Sequence, residues 1–229
     1  MNNLQKLGGL AAFSMAIIYV SAFIFFGAIW DSPPPGADVV QKLAFLKDNR
    51  IILTIVNLIM YVVFGVFLAV LVLALHERLK DNAKAFSQTA SVFGLIWVGL
   101  VIASGMIANI GLGNVIKLSA KDLELARTVW LTVNSIVEGI GGGNEIVGGL
   151  WVLLLSIAAL KGNTLSKKLS YLGLFVGLAG VLTVYPADIL TEVFGLSQIV
   201  WFSWLGLEML LEPSRIPKSP GKEVLTHTA

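Results

Sequence analysis

The sequence predicts an all-α membrane protein, a polytopic bundle of six transmembrane helices. Hydrophobic residues make up 56% of the 229-residue chain and charged residues only 13%, whereas an ordinary soluble domain has about 25% charged residues. Apolar stretches of about 20 residues, the length that crosses a bilayer, recur along the chain, and their connections are too short to contain a soluble domain. We therefore expect residues 1–211 to form one transmembrane domain. The predicted spans are residues 8–30, 51–75, 87–112, 139–160, 171–190 and 193–211.

The first span is followed by a proline-rich segment and a short amphipathic stretch. Residues 8–30 contain no charged side chain, and they exceed the 7 to 15 apolar residues of a cleaved signal peptide. The Ser-Pro-Pro-Pro-Gly run at residues 32–36 ends the helix, because proline lacks an amide donor. Residues 37–50 then indicate either a short interfacial helix or a loop packed on the bundle. The apolar face of this predicted helix comprises Val40, Leu43 and Ala44.

The fourth span, residues 139–160, belongs to a longer element. Ser119 is a candidate N-cap for it, with Asp122 three residues later. From Ser119 to the end of the span is about 40 residues, which as one helix would measure ~60 Å, twice the hydrocarbon thickness of a bilayer. We expect this helix to be kinked or broken at Gly141 to Gly143, since glycine weakens a helix and relieves crowding.

The basic residues predict the orientation of the bundle. Residues 212–229 contain three prolines and no apolar period, so we expect a disordered tail. If both termini lie on one side, that side carries ten lysines and arginines against six on the other. By the positive-inside rule, both termini and the tail are cytoplasmic, and the chain is a multi-pass protein of the cytoplasmic membrane. The ten are Lys6, Arg78, Lys80, Lys84, Lys161, Lys167, Lys168, Arg215, Lys218 and Lys222.

Polar side chains near the outer ends of the spans are the main functional signal. Glu138 and Glu145 flank the glycine run within apolar sequence. A carboxylate at bilayer depth costs about 2.5 to 3.5 kcal/mol on insertion scales, so it is a functional hypothesis by default. Asn134, Glu138 and Glu145 share one helical face if the glycine run stays helical. The residues that we predict to line an outward-facing polar cavity are Glu145, Glu138, Asn134, Asn57, Asn109, Tyr185 and Asp188.

Structural roles compete with this hypothesis. Asparagines between helices often form interhelical hydrogen bonds, and a carboxylate at the membrane interface costs little free energy. We therefore favour a structural role for Asn57, Asn109 and Glu138. Glu145 lies deeper, where a carboxyl group must be paired, hydrated or protonated, and a functional role explains it as well as a structural one. Glu208 in the sixth span is a weaker candidate. We expect the tryptophans to be interface anchors and packing residues.

Composition and motifs exclude several classes of site. The chain has no cysteine, which excludes disulfides, thiolate metal sites and iron–sulfur clusters. His76 and His227, the two histidines, do not make a ligand set for haem or a metal. The sequence has no zinc-protease, phosphate-loop, dinucleotide-binding or nucleophile-elbow motif, and its basic residues are scattered, not clustered for nucleic acid. We therefore expect no cofactor, no metal, no catalytic residue and no nucleic-acid partner.

Two stretches of the chain resemble a group of membrane proteins. Residues 64–105 read FGVFLAVLVLALHERLKDNAKAFSQTASVFGLIWVGLVIASG, and residues 146–182 read IVGGLWVLLLSIAALKGNTLSKKLSYLGLFVGLAGVL. They are similar to a family of uncharacterised bacterial six-helix integral membrane proteins, classed only as a domain of unknown function. The similarity lies in the helix spacing, the two short basic turns and the small residues at 170–180. It implies six spans and a bacterial cytoplasmic membrane, and it supplies no catalytic residues.

Three classes of function are compatible with the sequence. The leading one is a small transporter or channel for an ion, a proton or a small solute, using Glu145 and Glu138 at a discontinuous fourth helix. The second is a non-catalytic accessory, assembly or stress-response subunit, whose polar residues specify packing against a protein partner or a second copy. An enzyme acting on membrane lipids is the least favoured, because no nucleophile, base and orienting group converge.

Overall fold

The computed structural model of the protein describes residues 3–34, 36–142, 145–185 and 187–211. Within these ranges every regular element is a helix and no strand occurs, so the all-α prediction is confirmed. The predicted disordered tail, residues 212–229, lies outside the described residues, as does Gly143 of the predicted helix break.

The helices follow one another with short connections, and three of them pass into π-helical turns. In chain order the elements are α1 (Asn3–Ile24) with a π-helical turn (Phe25–Ile29), α2 (Val39–Asp48), α3 (Arg50–Asn57), a π-helical turn (Leu58–Val63), α4 (Phe64–Leu79), α5 (Lys84–Ser119), α6 (Leu123–Val137), a π-helical turn (Glu138–Gly142), α7 (Ile146–Gly162), α8 (Lys167–Leu182) and α9 (Asp188–Leu211).

Among the described residues, five helical segments are long and apolar enough to cross a membrane. They correspond to the predicted spans one to four and six, and they are compatible with a multi-pass membrane protein. The five segments are Asn3–Ile29, Arg50–Leu79, Lys84–Ser119, Leu123–Gly162 and Asp188–Leu211.

The predicted fifth span differs from the helix found there. Residues 171–190 were expected to be continuous, but α8 ends at Leu182 and has 16 residues, or ~24 Å at 1.5 Å per residue. The hydroxyl of Thr183 donates to the carbonyl of Gly180 at 2.7 Å, which closes the helix end. Pro186 follows in the sequence, and proline disfavours helix in the residue before it. The next helix therefore begins only at Asp188.

The long helices pack as a closed ring. Helix α1 contacts α4 on one side and α9 on the other, and the contacts of α4 with α5, α5 with α7, α7 with α8, and α8 with α9 complete the circuit. Short connections join α4 to α5, α7 to α8, and α8 to α9, as expected for antiparallel helices. Because each helix contacts two others, the centre of the ring is enclosed by protein.

Aromatic rings fill this centre. Trp97, Trp151 and Trp201 are each 1% exposed. The ring centroids of Trp97 and Trp151 are 5.7 Å apart, and those of Trp151 and Trp201 are 5.8 Å apart. Phe64 and Phe202 continue the cluster at either end, in the tilted and edge-on arrangements that aromatic pairs favour. The expected packing role holds for these three tryptophans, whereas their burial rules out the expected role as interface anchors.

Two adjacent glycines let α7 approach its neighbours closely. A Cβ atom on Gly148 would lie 2.6 Å from Cε2 of Trp97, and one on Gly149 would lie 2.5 Å from the backbone nitrogen of Val181. Small residues permit this backbone approach between membrane helices. Helix α7 therefore packs closely against both α5 and α8.

The short amphipathic helix is present as α2. Its N-cap is Asp38, whose carboxylate accepts the backbone N–H of Gln41 at 2.7 Å. Leu43 and Leu46 are buried, in a cluster with residues of α5 and α6, whereas Val40 is 56% exposed. Of the predicted apolar face, Leu43 therefore packs on the bundle, where α2 meets the end of α5 beyond the predicted third span, whereas Val40 does not.

The predicted N-cap of the fourth membrane segment is also wrong. Ser119 is the last residue of α5, and its hydroxyl donates to the carbonyl of Ile116 at 2.9 Å. The cap is Asp122, whose carboxylate accepts the backbone N–H of Leu125 at 3.0 Å. Both residue types are good N-caps, and the length of α5 decides between them.

Candidate functional site

Glu145 is the predicted residue at the centre of the candidate site. It lies directly before α7, and its backbone N–H donates to the hydroxyl oxygen of Thr183 at 2.9 Å. Its backbone carbonyl accepts from the N–H of Gly149 at 2.7 Å. The side-chain Oε2 accepts a hydrogen bond from Nε1 of Trp97 at 2.8 Å. Contacts to α5, α7 and the turn after α8 thus hold Glu145 in place.

The Glu145 carboxyl group has no basic partner in the part of the chain that the structure describes. The ion pairs found there join other residues. Burial among apolar side chains disfavours the charged form of this group, whereas two features favour it: the indole N–H of Trp97, and the position at the start of α7, where the helix dipole stabilises negative charge. The residue is partly exposed, and it borders a cavity.

A cavity of about 90 Å³ lies beside Glu145. Glu145 is the one acidic residue in its lining, and the hydroxyls of two tyrosines are the other polar side-chain groups. The remaining walls are apolar or aromatic. The lining consists of Ile18, Tyr19, Ala22, Met60, Tyr61, Phe64, Val101, Gly141 and Glu145.

A second, larger cleft of about 390 Å³ adjoins the first. The two have four residues in common, among them Tyr19 and Glu145. The cleft runs between the end of α1 and the start of α9, where Phe23 and Phe26 are 39% and 46% exposed. It therefore connects the carboxyl group with the outer surface of the ring. The residues that line only the larger cleft are Phe23, Phe26, Gly27, Thr191, Phe194 and Gly195.

Gly141 lines the cavity and has an unusual backbone conformation. Its φ is 137° and its ψ is 16°, a backbone conformation that side chains other than glycine rarely adopt. Gly141 is therefore not in a helical conformation, so the condition for the predicted common face of Asn134, Glu138 and Glu145, a helical glycine run, is not met at this residue. Glu138 is exposed, whereas Glu145 borders the cavity.

The two predicted asparagines contact each other. Nδ2 of Asn57 donates to Oδ1 of Asn109 at 3.0 Å, and Nδ2 of Asn109 donates to the carbonyl of Thr54 at 3.3 Å. These bonds join α3 to α5 in the manner of interhelical polar contacts in membranes. Neither asparagine lines the two cavities beside Glu145.

The remaining candidates lie apart from Glu145. Tyr185 is 70% exposed and Asp188 is also exposed, while Asn134 is partly buried. None of them, nor Glu138, lines either cavity. Of the residues predicted for a shared polar cavity, the structure brings only Glu145 to the site.

The aromatic residues around Glu145 were not among the predicted site residues. Tyr19 of α1 and Tyr61 of the π-helical turn before α4 line the same cavity as the carboxyl group, together with Phe64. A tyrosine in the middle of an apolar span was the available signal, since its hydroxyl needs a polar environment. The direction in which each ring points cannot be inferred from sequence.

The weaker candidate, Glu208, belongs to a separate cluster. Its Oε1 accepts the backbone N–H of Ser166 at 2.7 Å and lies 4.0 Å from Nη2 of Arg78. Nε of Arg78 donates to the carbonyl of Thr164 at 3.1 Å. The two charged side chains are only 1% and 4% exposed. Glu208 thus attaches the α7–α8 turn to α4 and α9.

No known protein family, curated protein or solved structure shows significant similarity to this chain. The resemblance of residues 64–105 and 146–182 to the six-helix membrane proteins of unknown function therefore stays a prediction.

Proposed function

We propose that the protein is a small transporter or channel of the bacterial cytoplasmic membrane, with Glu145 as its central binding residue. The observation that carries this proposal is the carboxyl group of Glu145, which borders a cavity and has no basic partner among the described residues. A carboxyl group inside an apolar bundle is costly. Binding of a cation, a proton or a polar solute explains why such a costly group is present there.

The proposal includes six membrane crossings with both termini cytoplasmic. Helix α8, with the turn that follows it, supplies the crossing that the five longer segments do not provide. It also includes a fourth segment that is discontinuous around Gly141, and the non-helical φ of 137° at this residue supports that part of the proposal. Interrupted helices next to a binding site are a recurring feature of transporters, which supports this reading of the segment.

Flux measurements on reconstituted protein test the proposal. Purified protein in liposomes is assayed for proton, sodium, potassium and organic-cation movement with entrapped fluorescent indicators and radiolabelled solutes. Glu145→Gln keeps the size of the side chain and removes its charge, and we expect it to lower the flux at least about tenfold. Glu138→Gln is the matched control, because Glu138 is exposed and lines neither cavity.

Far-ultraviolet circular dichroism and size-exclusion chromatography establish that both variants are folded. Equal flux in the wild type and Glu145→Gln contradicts the assignment of Glu145. Absence of any flux in folded wild-type protein contradicts transport itself.

A non-catalytic accessory or assembly role is the second candidate. The hydrogen bonds from Trp97 to the Glu145 side chain and from the Glu145 backbone to Thr183 favour it, because they give this residue a structural use. This role predicts no flux, and a protein partner or second copy that copurifies with the wild type. Quantitative affinity purification of wild type and Glu145→Gln from the same membranes distinguishes the two functions.

A further inference from the structure

We propose that the Glu145 cavity recognises an organic ammonium group, a positively charged nitrogen that carries apolar substituents. This inference rests on the proposed function, because it names the substrate class of the same site. Three observations carry it: the charge at the end of the cavity, the aromatic walls, and the shape and polarity of the adjoining cleft.

The lining contains one acidic group, the carboxyl group of Glu145, which supplies one negative charge when it is ionised. Oε2 of Glu145 is held by Nε1 of Trp97 at 2.8 Å, which orients the carboxylate while leaving its charge without a basic partner among the described residues. The two tyrosines of the lining carry no positive charge that could neutralise the carboxylate. One positive charge in the cavity would therefore balance the site.

The walls are suited to an ammonium group. Tyr19, Tyr61 and Phe64 line the cavity together with Glu145, and the rings of Tyr19 and Phe64 meet at 85° with their centroids 5.4 Å apart. The negative face of an aromatic ring attracts a cation within about 6 Å, and quaternary ammonium ligands are recognised in aromatic cages of this kind. A carboxylate and several aromatic rings around one small space make up such a cage.

An inorganic cation fits the lining poorly. Calcium takes 6 to 8 oxygen ligands at about 2.3–2.6 Å, and magnesium requires octahedral oxygen coordination. This lining offers one carboxylate and two phenolic hydroxyls, and its other side chains, such as Met60 and Val101, are apolar. The described residues also contain no cluster of three or more histidine, cysteine, aspartate or glutamate side chains. Apolar walls match the substituents of an organic cation instead.

The sizes of the inner cavity and the adjoining cleft suit two parts of one ligand, a compact head and an apolar chain. At about 90 Å³ the inner cavity is smaller than an engineered cavity of about 150 Å³ that holds benzene, so it suits a compact head such as trimethylammonium. The adjoining cleft of about 390 Å³ is walled by Phe23, Phe26 and Phe194 among others. It has room for an apolar chain and leads to the outer surface between α1 and α9.

Equilibrium binding to the full-length protein in nanodiscs tests this inference. The readout is tryptophan emission, since Trp97 contacts the carboxylate directly. The probes are butyltrimethylammonium, choline, and 3,3-dimethylbutan-1-ol, which is the uncharged isostere of choline. We expect saturable binding of both ammonium ions, with butyltrimethylammonium the tighter, and at least about tenfold weaker binding of the uncharged isostere. Equal binding of choline and its isostere overturns the inference, because it shows an apolar pocket that does not recognise charge.

Two sets of variants locate the binding. Glu145→Gln should weaken butyltrimethylammonium binding at least about tenfold, and Glu138→Gln should leave it within about twofold. Tyr61→Phe keeps the ring and should bind nearly as the wild type does, whereas Tyr61→Leu should bind about fivefold or more weakly. The Tyr61 pair keeps the test decisive if Glu145→Gln fails to fold. Unchanged binding in both Glu145→Gln and Tyr61→Leu overturns the inference.

The ammonium group can belong to a free solute or to a lipid headgroup. Nanodiscs of phosphatidylglycerol are compared with nanodiscs that also contain phosphatidylethanolamine. Competition by the ethanolamine lipid supports a headgroup ligand, and its absence together with choline binding supports a free solute.

The outcome is separable from that of the proposed function. Proton or sodium flux that depends on Glu145, without binding of any ammonium probe, leaves transport standing and overturns the inference. Ammonium binding without flux upholds the inference and contradicts transport.

Discussion

The indole N–H of Trp97 donates a 2.8 Å hydrogen bond to the carboxylate of Glu145 and thereby links α5 to the start of α7. Trp97 is 1% exposed, and its ring packs against Phe64 and Trp151 at centroid distances of 5.9 and 5.7 Å. Because the indole is fixed by these neighbours, the donor is in place before any ligand binds. The aromatic core of the bundle therefore also orients the carboxylate of the candidate site.

Replacing Trp97 with phenylalanine should separate this bond from the packing. We expect Trp97→Phe to lower the free energy of unfolding by about 1.5–3 kcal/mol, the typical contribution of a hydrogen bond to a charged group, and to weaken function at Glu145. Thermal or detergent-induced unfolding, followed by circular dichroism, measures the first effect, and the liposome assay measures the second. Trp151→Phe is the control, since Trp151 is equally buried and makes no hydrogen bond to Glu145. Equal loss of function in the two variants would show that only packing matters.

The buried pair of Arg78 and Glu208 should be important for stability. Removing one member of a buried ion pair typically costs about 3–5 kcal/mol, because the other charge stays buried. We expect Glu208→Leu to destabilise the protein by this amount in the same unfolding assay, and the double variant with Arg78→Leu to regain much of the loss. The control is the ion pair of Glu124 and Arg127, whose side chains are 77% and 54% exposed, respectively.

Glu124→Gln should change stability by less than about 1 kcal/mol, since exposed pairs contribute little. A double variant at Arg78 and Glu208 that is as unstable as the single variant would mean that the burial of the remaining charge is not the cause.

Gly141 should not tolerate a side chain. Its φ of 137° is strained for any other residue, and we expect Gly141→Ala to cost about 1–3 kcal/mol of stability and to distort the cavity that Gly141 lines. Gly139→Ala is the matched control two residues away, where an added Cβ would meet nothing within 4 Å. It should be neutral or stabilising by up to about 1 kcal/mol. If both alanine variants are equally stable, the backbone at Gly141 does not need glycine.

Single cysteines should report the proposed topology, because the natural chain contains none. Six crossings with cytoplasmic termini place Asp81 and Asn163 on the cytoplasmic side, and Lys121 and Asp188 on the outer side. Cysteine substitutions at the outer positions should react with a membrane-impermeant maleimide in intact cells, and the other two only after lysis. If α8 does not cross the membrane, Asp188→Cys will react like Asn163→Cys.

Local sequence predicted most of the helices, because a segment that can cross a bilayer is recognised by its length and its apolar residues. The segments Arg50–Leu79 and Asp188–Leu211 lie where the hydrophobic spans were predicted. Helix ends were less accurate, since several good stop and start residues compete within a few positions. Asp122 and not Ser119 is the cap of α6, and α8 ends at Leu182, well before the predicted boundary.

The site required three-dimensional information. A membrane helix is apolar all round, so its hydrophobic pattern does not indicate which face points inward. Glu138 and Glu145 are alike in sequence, yet one is exposed and the other borders the cavity, and between them Gly141 has a non-helical φ of 137°. Tyr19 and Tyr61 meet Glu145 only because α1 and the segment before α4 pack side by side around the same space. Such convergence depends on the rotation of each helix about its axis, and contacts between helices fix that rotation.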